Sequence, residues 1–205
     1  MAPVFYGLDI ETDTSVDGLD PRRSAIVAVA VASSAPDSPA EPRVDRVFDD
    51  PDEAVLLRRL DDHLATLEPG VLVTWNGAGF DLPFIADRAR HLSVRLGLVL
   101  RPDPRLAGRR APLAGHRWPY RARWYGHRHL DAYQLFRADV GASLGLACGL
   151  KAIARLVGLP PVEVDRGAIH ELSPAERAEY VLSDARLARA LALRRPATAV
   201  RAVDP

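Results

Sequence analysis

The sequence predicts an α/β fold built as one domain, and two observations carry that expectation. Three strand-like segments follow one another near the start, and a helix, a fourth strand and a second helix come after them. The first segment, Val4 to Ile10, is mostly apolar and ends in carboxylates. The second contains the unbroken run Ile26-Val27-Ala28-Val29-Ala30-Val31, the pattern of a strand covered on both faces. The third, Val44 to Phe48, alternates apolar and polar residues, so the three describe a meander. Between the last two, residues 33–42 are rich in Ser, Pro and Ala and read as a loop.

The helices are marked by their starts and stops. Asp50-Pro51-Asp52-Glu53 reads as a capping Asp, a Pro at the first helical position and a Glu closing a capping box. Val55, Leu56, Leu60, Leu64 and Leu67 then recur at helical spacing until Pro69-Gly70. Val71 to Trp75 is the fourth strand. It breaks at Asn76-Gly77-Ala78-Gly79, and Phe80 to His91 has helical periodicity. Residues 101–127 show no clean period, only Pro, Gly, Arg and aromatics. We read 101–128 as a long functional insertion, because structureless loops of that length are unusual in a compact domain. Residues 128–131 predict a short strand and 144–156 a helix. Ser173-Pro174-Ala175-Glu176 is a second capping box, opening a helix that runs to about Arg194. The domain is thus expected over 1–195, with 196–205 as a frayed tail.

Composition narrows the function classes. The chain has 205 residues, 48% of them hydrophobic and 26% charged, enough for a proper core under a soluble surface. Cys148 is the only cysteine, which excludes an intrachain disulfide or a multi-cysteine zinc site; its apolar surroundings predict a buried thiol. No signal peptide or membrane span is visible, so a cytoplasmic protein is expected. A formal net charge of zero argues against indiscriminate polyanion binding by the whole surface. The distribution is uneven, however. Arg101, Arg105, Arg109, Arg110, Arg117, Arg121, Arg123 and Arg128 face a single acid, Asp103, within the insertion, whereas the first sixty residues are rich in Asp and Glu. An acidic site beside a basic segment suits a metal-assisted enzyme acting on a polyanion.

Three motifs carry chemistry. Asp9-Ile10-Glu11 places two carboxylates on one face of a strand, because side chains alternate with period two. Such a pair suits a hard divalent cation, although Asp-x-Glu alone also describes a solvated strand end. Asp81 follows Phe80 at the start of a helix, where an acid is favoured by the dipole with or without a catalytic role. Tyr180 and Asp184, four residues apart on the last helix, share a face.

Taken in order, Asp-x-Glu, Asn-x-x-x-Phe-Asp and Tyr-x-x-x-Asp resemble the 3′→5′ exonucleases of the DEDD superfamily, in the subgroup with Tyr in the third motif. The details are most similar to the proofreading domains of family B DNA polymerases and their stand-alone bacterial relatives. Asp9 to Thr12, Asn76 to Asp81 and His129-Leu130-Asp131 carry the likeness. The resemblance implies a ribonuclease H-like fold, a central mixed sheet with its first three strands antiparallel and helices flanking it. It implies two divalent ions, Mg²⁺ or Mn²⁺, with Asp9 bridging them, Glu11 and Asp184 completing one site and Asp81 serving the other. Tyr180 would orient the attacking water. Thr12, Asn76 and Phe80 would contact substrate.

The insertion adds a further expectation. Arg117, Arg121 and Arg123 for phosphates, with Trp118 and Trp124 for stacking bases, form a single-strand binding combination. An Arg-rich loop with its aromatics packed beneath it would look the same. The expected partner is nucleic acid, single-stranded DNA or a 3′ terminus, with RNA the alternative substrate and a polymerase or repair protein a candidate companion. A binding subunit without catalysis is the rival class, which the presence of all four acids and the tyrosine disfavours. His127, His129 and Asp131 alternate on one strand face. Asp131 reads either as a support of the metal site or as a helix cap.

Overall fold

The computed structural model describes residues 3–17, 19–34, 45–106, 113–142, 145, 147–196 and 198–199. Strands β1 (Val4–Thr12), β2 (Ile26–Ala32) and β3 (Arg46–Phe48) form the antiparallel meander. Helix α1 (Glu53–Thr66) leads to β4 (Gly70–Thr74), which lies parallel to β1 on its other side. Helix α2 (Asp81–His91) is followed by β5 (Leu98–Pro102), β6 (Tyr120–Trp124) and β7 (His127–Asp131). These complete one mixed sheet in the order β3-β2-β1-β4-β7-β6-β5. Helices α3 (Ala132–Phe136), α4 (Leu150–Leu156) and α5 (Pro174–Leu193) follow β7.

Alternation along each strand sends side chains into two layers. Tyr6, Leu8 and Ile10 of β1, with Leu72, Ala122 and Trp124, pack against α1 and α2. Phe5, Val71, Val73 and Leu130 pack on the opposite side against α3, α4 and α5. Ala28, Ala30 and Ala32 of β2 meet Val181 and Ala185 of α5, and such small residues let the helix lie close to the sheet. Gly7 shows how close: a Cβ there would sit 1.9 Å from the carbonyl oxygen of Ala185. Parity on β1 then places Asp9 and Glu11 on this same α5 side, at the strand's carboxyl end.

Several boundaries differ from expectation. The region read as an irregular insertion contributes the end of β5 and all of β6 to the sheet. The period-two signal is present in Arg121-Ala122-Arg123-Trp124, but charged residues fill its outward positions and Pro and Gly flank it. Residues 107–112 of that region, Arg109 and Arg110 among them, lie outside the described residues, as do 35–44 of the expected loop and third strand. The α1 cap is Asp52, which accepts from the Ala54 and Val55 amides, not Asp50. Glu53 makes no capping box; its carboxylate accepts from Ile26 N at 2.8 Å and pairs with buried Arg88 at 2.5 Å, tying α1 to β2 and α2. The box at Ser173 and Glu176 forms as predicted. The helix expected over 144–156 is shortened to α4, because Ala147, Cys148 and Gly149 are non-helical. Cys148 is half-buried instead of buried. Beyond α5, Pro196, Thr198 and Ala199 are helical, and Ala199 is buried against the α5 side of the core. Among the described residues no helix is long and apolar enough to cross a membrane.

Candidate active site

The predicted motif residues converge on one cleft of about 700 Å³, at the carboxyl ends of β1 and β4. β1 supplies Asp9, Glu11 and Thr12, the turn after β4 supplies Asn76 and Phe80, α2 begins with Asp81, and α5 contributes Tyr180 and Asp184. Carboxylate oxygens of Asp9, Glu11 and Asp184 lie within 4.8 Å of one another. Asp81 stands outside that triad but close enough for its charge to act on Asp9. Trp75, Tyr133 and Ile169 add apolar wall that sequence reasoning did not assign.

The electrostatics are those of an anionic cluster partly withdrawn from water. Burial pushes the Asp9 carboxyl well above the usual carboxylate range, and the charges of Asp184, Asp81 and Glu11 push it further. The Lys151 ammonium pulls the other way. A site that strains to hold negative charge fits a divalent cation, and an all-carboxylate donor set fits a hard one.

Lys151 is a residue of the site that motif reasoning missed. Its ammonium pairs with Asp184, donates to Val162 O at 2.6 Å and lies 4.3 Å from the centre of the Tyr180 ring. Two of the site residues are thus held by one cation carried on α4. The signal was available, since Lys151 is the single lysine in a chain that otherwise uses arginine.

The turn that carries Asp81 is clamped from β7. Asp131 accepts from Asn76 N at 2.7 Å and Ala78 N at 3.3 Å, and also from Tyr133 N at 3.1 Å, where it caps α3. This acid therefore both caps a helix and supports the turn beside the cleft. Burial raises its carboxyl to about 6 against the pull of those amide bonds. Asn76 takes the left-handed conformation with φ 69°, and Gly77 is required by close approach, since a Cβ there would meet Thr74 Oγ1 at 2.3 Å. The two histidines of β7 bond groups on neighbouring elements. His127 accepts from Gly70 N at 3.2 Å and bonds Leu64 O at 2.9 Å, while His129 bonds Thr74 Oγ1 at 2.8 Å.

The insertion residues behave differently from the motif residues. Trp124 is fully buried and donates its indole N–H to Asp61 at 2.7 Å, so it is a core residue and offers no face to a base. Strand parity decides this, turning Ala122 and Trp124 inward and Arg121 and Arg123 outward. Arg117 covers the ring of Trp118 at 4.9 Å, and Arg121 pairs with Asp103 at 2.6 Å. None of Arg117, Trp118, Arg121, Arg123 or Trp124 lines the cleft.

Fold and cleft together define a ribonuclease H-like domain with a cluster of acids at the end of its first strand. The chain belongs to the family described as DNA polymerase family B, exonuclease domain, whose model matches residues 20–152, and it is a DEDD-type proofreading-exonuclease-like domain. A catalytic subunit of DNA polymerase epsilon from Arabidopsis thaliana is 33% identical over 141 residues, covering 65% of this chain and 6% of that protein. Its counterpart from Kluyveromyces lactis is 28% identical over 143 residues, covering 68% and 6%. The chain therefore spans a small part of the curated relatives it matches. The family B DNA polymerase of the hyperthermophilic archaeon Pyrobaculum calidifontis superposes with a TM-score of 0.65 at 24% identity, over 93% of this chain and 24% of that one, a likeness of fold. Asp9, Glu11, Tyr180 and Asp184 fall outside the family match, so their grouping rests on the geometry.

Proposed function

We propose that this protein is a 3′→5′ exonuclease that hydrolyses phosphodiester bonds of DNA by a two-metal-ion mechanism and releases 5′-mononucleotides. The observation that carries the reading is the convergence of Asp9, Glu11, Asp81 and Asp184, from three separate elements, with Tyr180 in one cleft. Asp9, Glu11 and Asp184 would hold one Mg²⁺ or Mn²⁺, and Asp9 with Asp81 a second. Bound ions of this kind activate a water and stabilise the leaving 3′ oxygen. The chain's own groups do the rest. Phenols ionise only near ~10, so the role for the Tyr180 hydroxyl is to orient the attacking water rather than to deprotonate it. Lys151 fixes the Asp184 carboxylate and the Tyr180 ring. Thr12 and Asn76 offer hydrogen bonds to the terminal nucleotide, and Phe80 offers its ring to a base. The relatives are catalytic subunits of polymerases, and a docked polymerase is the companion this reading favours.

The test is digestion of 5′-labelled single-stranded DNA, duplex DNA and RNA with Mg²⁺, Mn²⁺ or EDTA. The expected result is a ladder shortening from the 3′ end, metal-dependent and faster on DNA. Cleavage that survives EDTA, or immediate release of the labelled 5′ nucleotide without intermediate bands, overturns the reading. Binding without cleavage in any metal assigns the protein to the rival, non-catalytic class.

A further inference from the structure

On the side of the sheet that carries Asp9 and Glu11, strands β5, β6 and β7 present a second surface. Leu98, Leu100, Ala122 and Trp124 turn toward α1 and α2, so Val99, Arg101, Arg121 and Arg123 turn the other way. Register aligns them: Arg101 lies opposite Arg121, Val99 opposite Arg123, and Arg123 opposite Arg128. Four guanidinium side chains, with Val99 and Tyr125 between them, border a hollow of about 510 Å³. Next to this hollow Asp103 pairs with Arg105 and Arg121. Four guanidinium groups carried on paired strands, with Arg121 also bonded to Asp103, make a basic surface for an anionic ligand, unlike arginines scattered on a loop. The cost of holding their backbones in register is met by the fold.

Position points to the ligand. Arg128 pairs in register with Val71, and Val71 with Phe5, so the Arg123–Arg128 row lies four residues along the sheet from Asp9. Arg101 and Arg121 lie nearer the catalytic end. Crossing from β1 through β4 and β7 to β6 takes three strand spacings, roughly 14 Å at about 4.8 Å each. The cations therefore run diagonally away from the carboxylates on the same face of the sheet.

We propose that this arginine face is a second nucleic-acid site, binding phosphates of the substrate strand upstream of the 3′ end held in the cleft. The inference rests on the nuclease reading of the cleft and extends it: affinity comes from the arginine face, chemistry from the acids. Short substrates reach only the cleft, and longer ones engage both.

The experiment compares a trinucleotide with a strand of roughly two dozen nucleotides. Binding is measured in EDTA by fluorescence anisotropy across a salt series, independently of cleavage, for wild type and for Arg101→Gln/Arg128→Gln. Long-strand binding by the double variant should weaken, with its log–log salt slope reduced by about 1.4, roughly 0.7 for each single-strand phosphate no longer neutralised. Trinucleotide binding should be the same in both proteins. Arg101→Lys/Arg128→Lys, with the same melting temperature, should recover the slope. An unchanged long-strand slope in the Gln variant overturns the proposal and leaves the exonuclease reading intact. Equal weakening on the trinucleotide also overturns it. A polyglutamate of matched charge that binds wild type as tightly as the long strand overturns it too, and assigns the face to an acidic protein instead. Failure to hydrolyse any substrate, with the salt effect present, strikes the nuclease reading alone.

Discussion

Gly7→Ala tests how the site is assembled without touching a functional group. Gly7 lies on β1 two residues before Asp9, and its missing Cβ leaves room for the Ala185 carbonyl, the backbone next to Asp184. A methyl group there would stand 1.9 Å from that oxygen and 3.2 Å from the Arg189 Cβ. To reach an ordinary C···O contact of roughly 3.3 Å the helix must retreat by about 1.4 Å. The obstacle is helical backbone, so no rotamer change relieves it. Overpacking of this kind costs about 1–3 kcal/mol of stability. The larger effect should fall on chemistry, because α5 carries Asp184 and Tyr180 while β1 carries Asp9 and Glu11. A misplacement near 1 Å costs on the order of 10²-fold in rate. We expect Gly7→Ala to stay folded, melt several degrees lower, lose about two orders of magnitude in exonuclease rate and bind Mn²⁺ more weakly. Circular dichroism melts, single-turnover digestion and Mn²⁺ titration read these out. Wild-type rate and melting temperature together would refute the claim that this contact sets the spacing of the acids.

The remaining predictions concern charge and proton. Asp9→Asn should abolish nearly all activity yet raise the melting temperature without metal, since the folded state disfavours the ionised Asp9 carboxyl; a lowered melting temperature would contradict the electrostatic account. Tyr180→Phe keeps the packed ring and removes the hydroxyl, so kcat should fall with KM little changed, and an unaltered kcat would return Tyr180 to a packing role. His129 is held down to about 3 by burial, so it stays neutral when folded, while in the unfolded chain it takes up a proton near ~6.5. Its contribution to stability is therefore fully present above that pH and is lost as pH falls toward 3, about 3 kcal/mol having gone by pH 4. Urea unfolding of His129→Gln should show a flatter dependence between those values, and parallel curves would sink the argument.

Much of this protein is written in local pattern. The meander, α1, β4, α2 and the capped last helix follow from period, Pro, Gly and capping residues that act within a turn or two of themselves. The grouping of the acids and Tyr180 is legible because side chains that share one cleft from a strand end and a helix face need fixed spacings, i to i+2 and i to i+4, which survive in one dimension. Local pattern fails where partners are distant. β5 and β6 are strands because each completes the other's hydrogen bonding toward the sheet's edge, and the weak alternation at 121–124 does not say which segment it pairs with. Trp124 and Trp118 are the same residue type in the same basic segment, yet one is sealed against Asp61 and the other is exposed, a difference set by where each falls relative to the strand and its inward face. Lys151 stands out by type, as the single lysine, but its spacing in a short helix assigns it no partner. It becomes part of the site only when α4 packs beside α5 and brings its ammonium to Asp184. The spacing of the motif residues and most of the elements could be read from the chain alone, because they depend on residue type and short-range geometry. Which cations meet the acids, and which form a separate face, was settled only on folding, because it depends on register and packing between segments far apart in the chain.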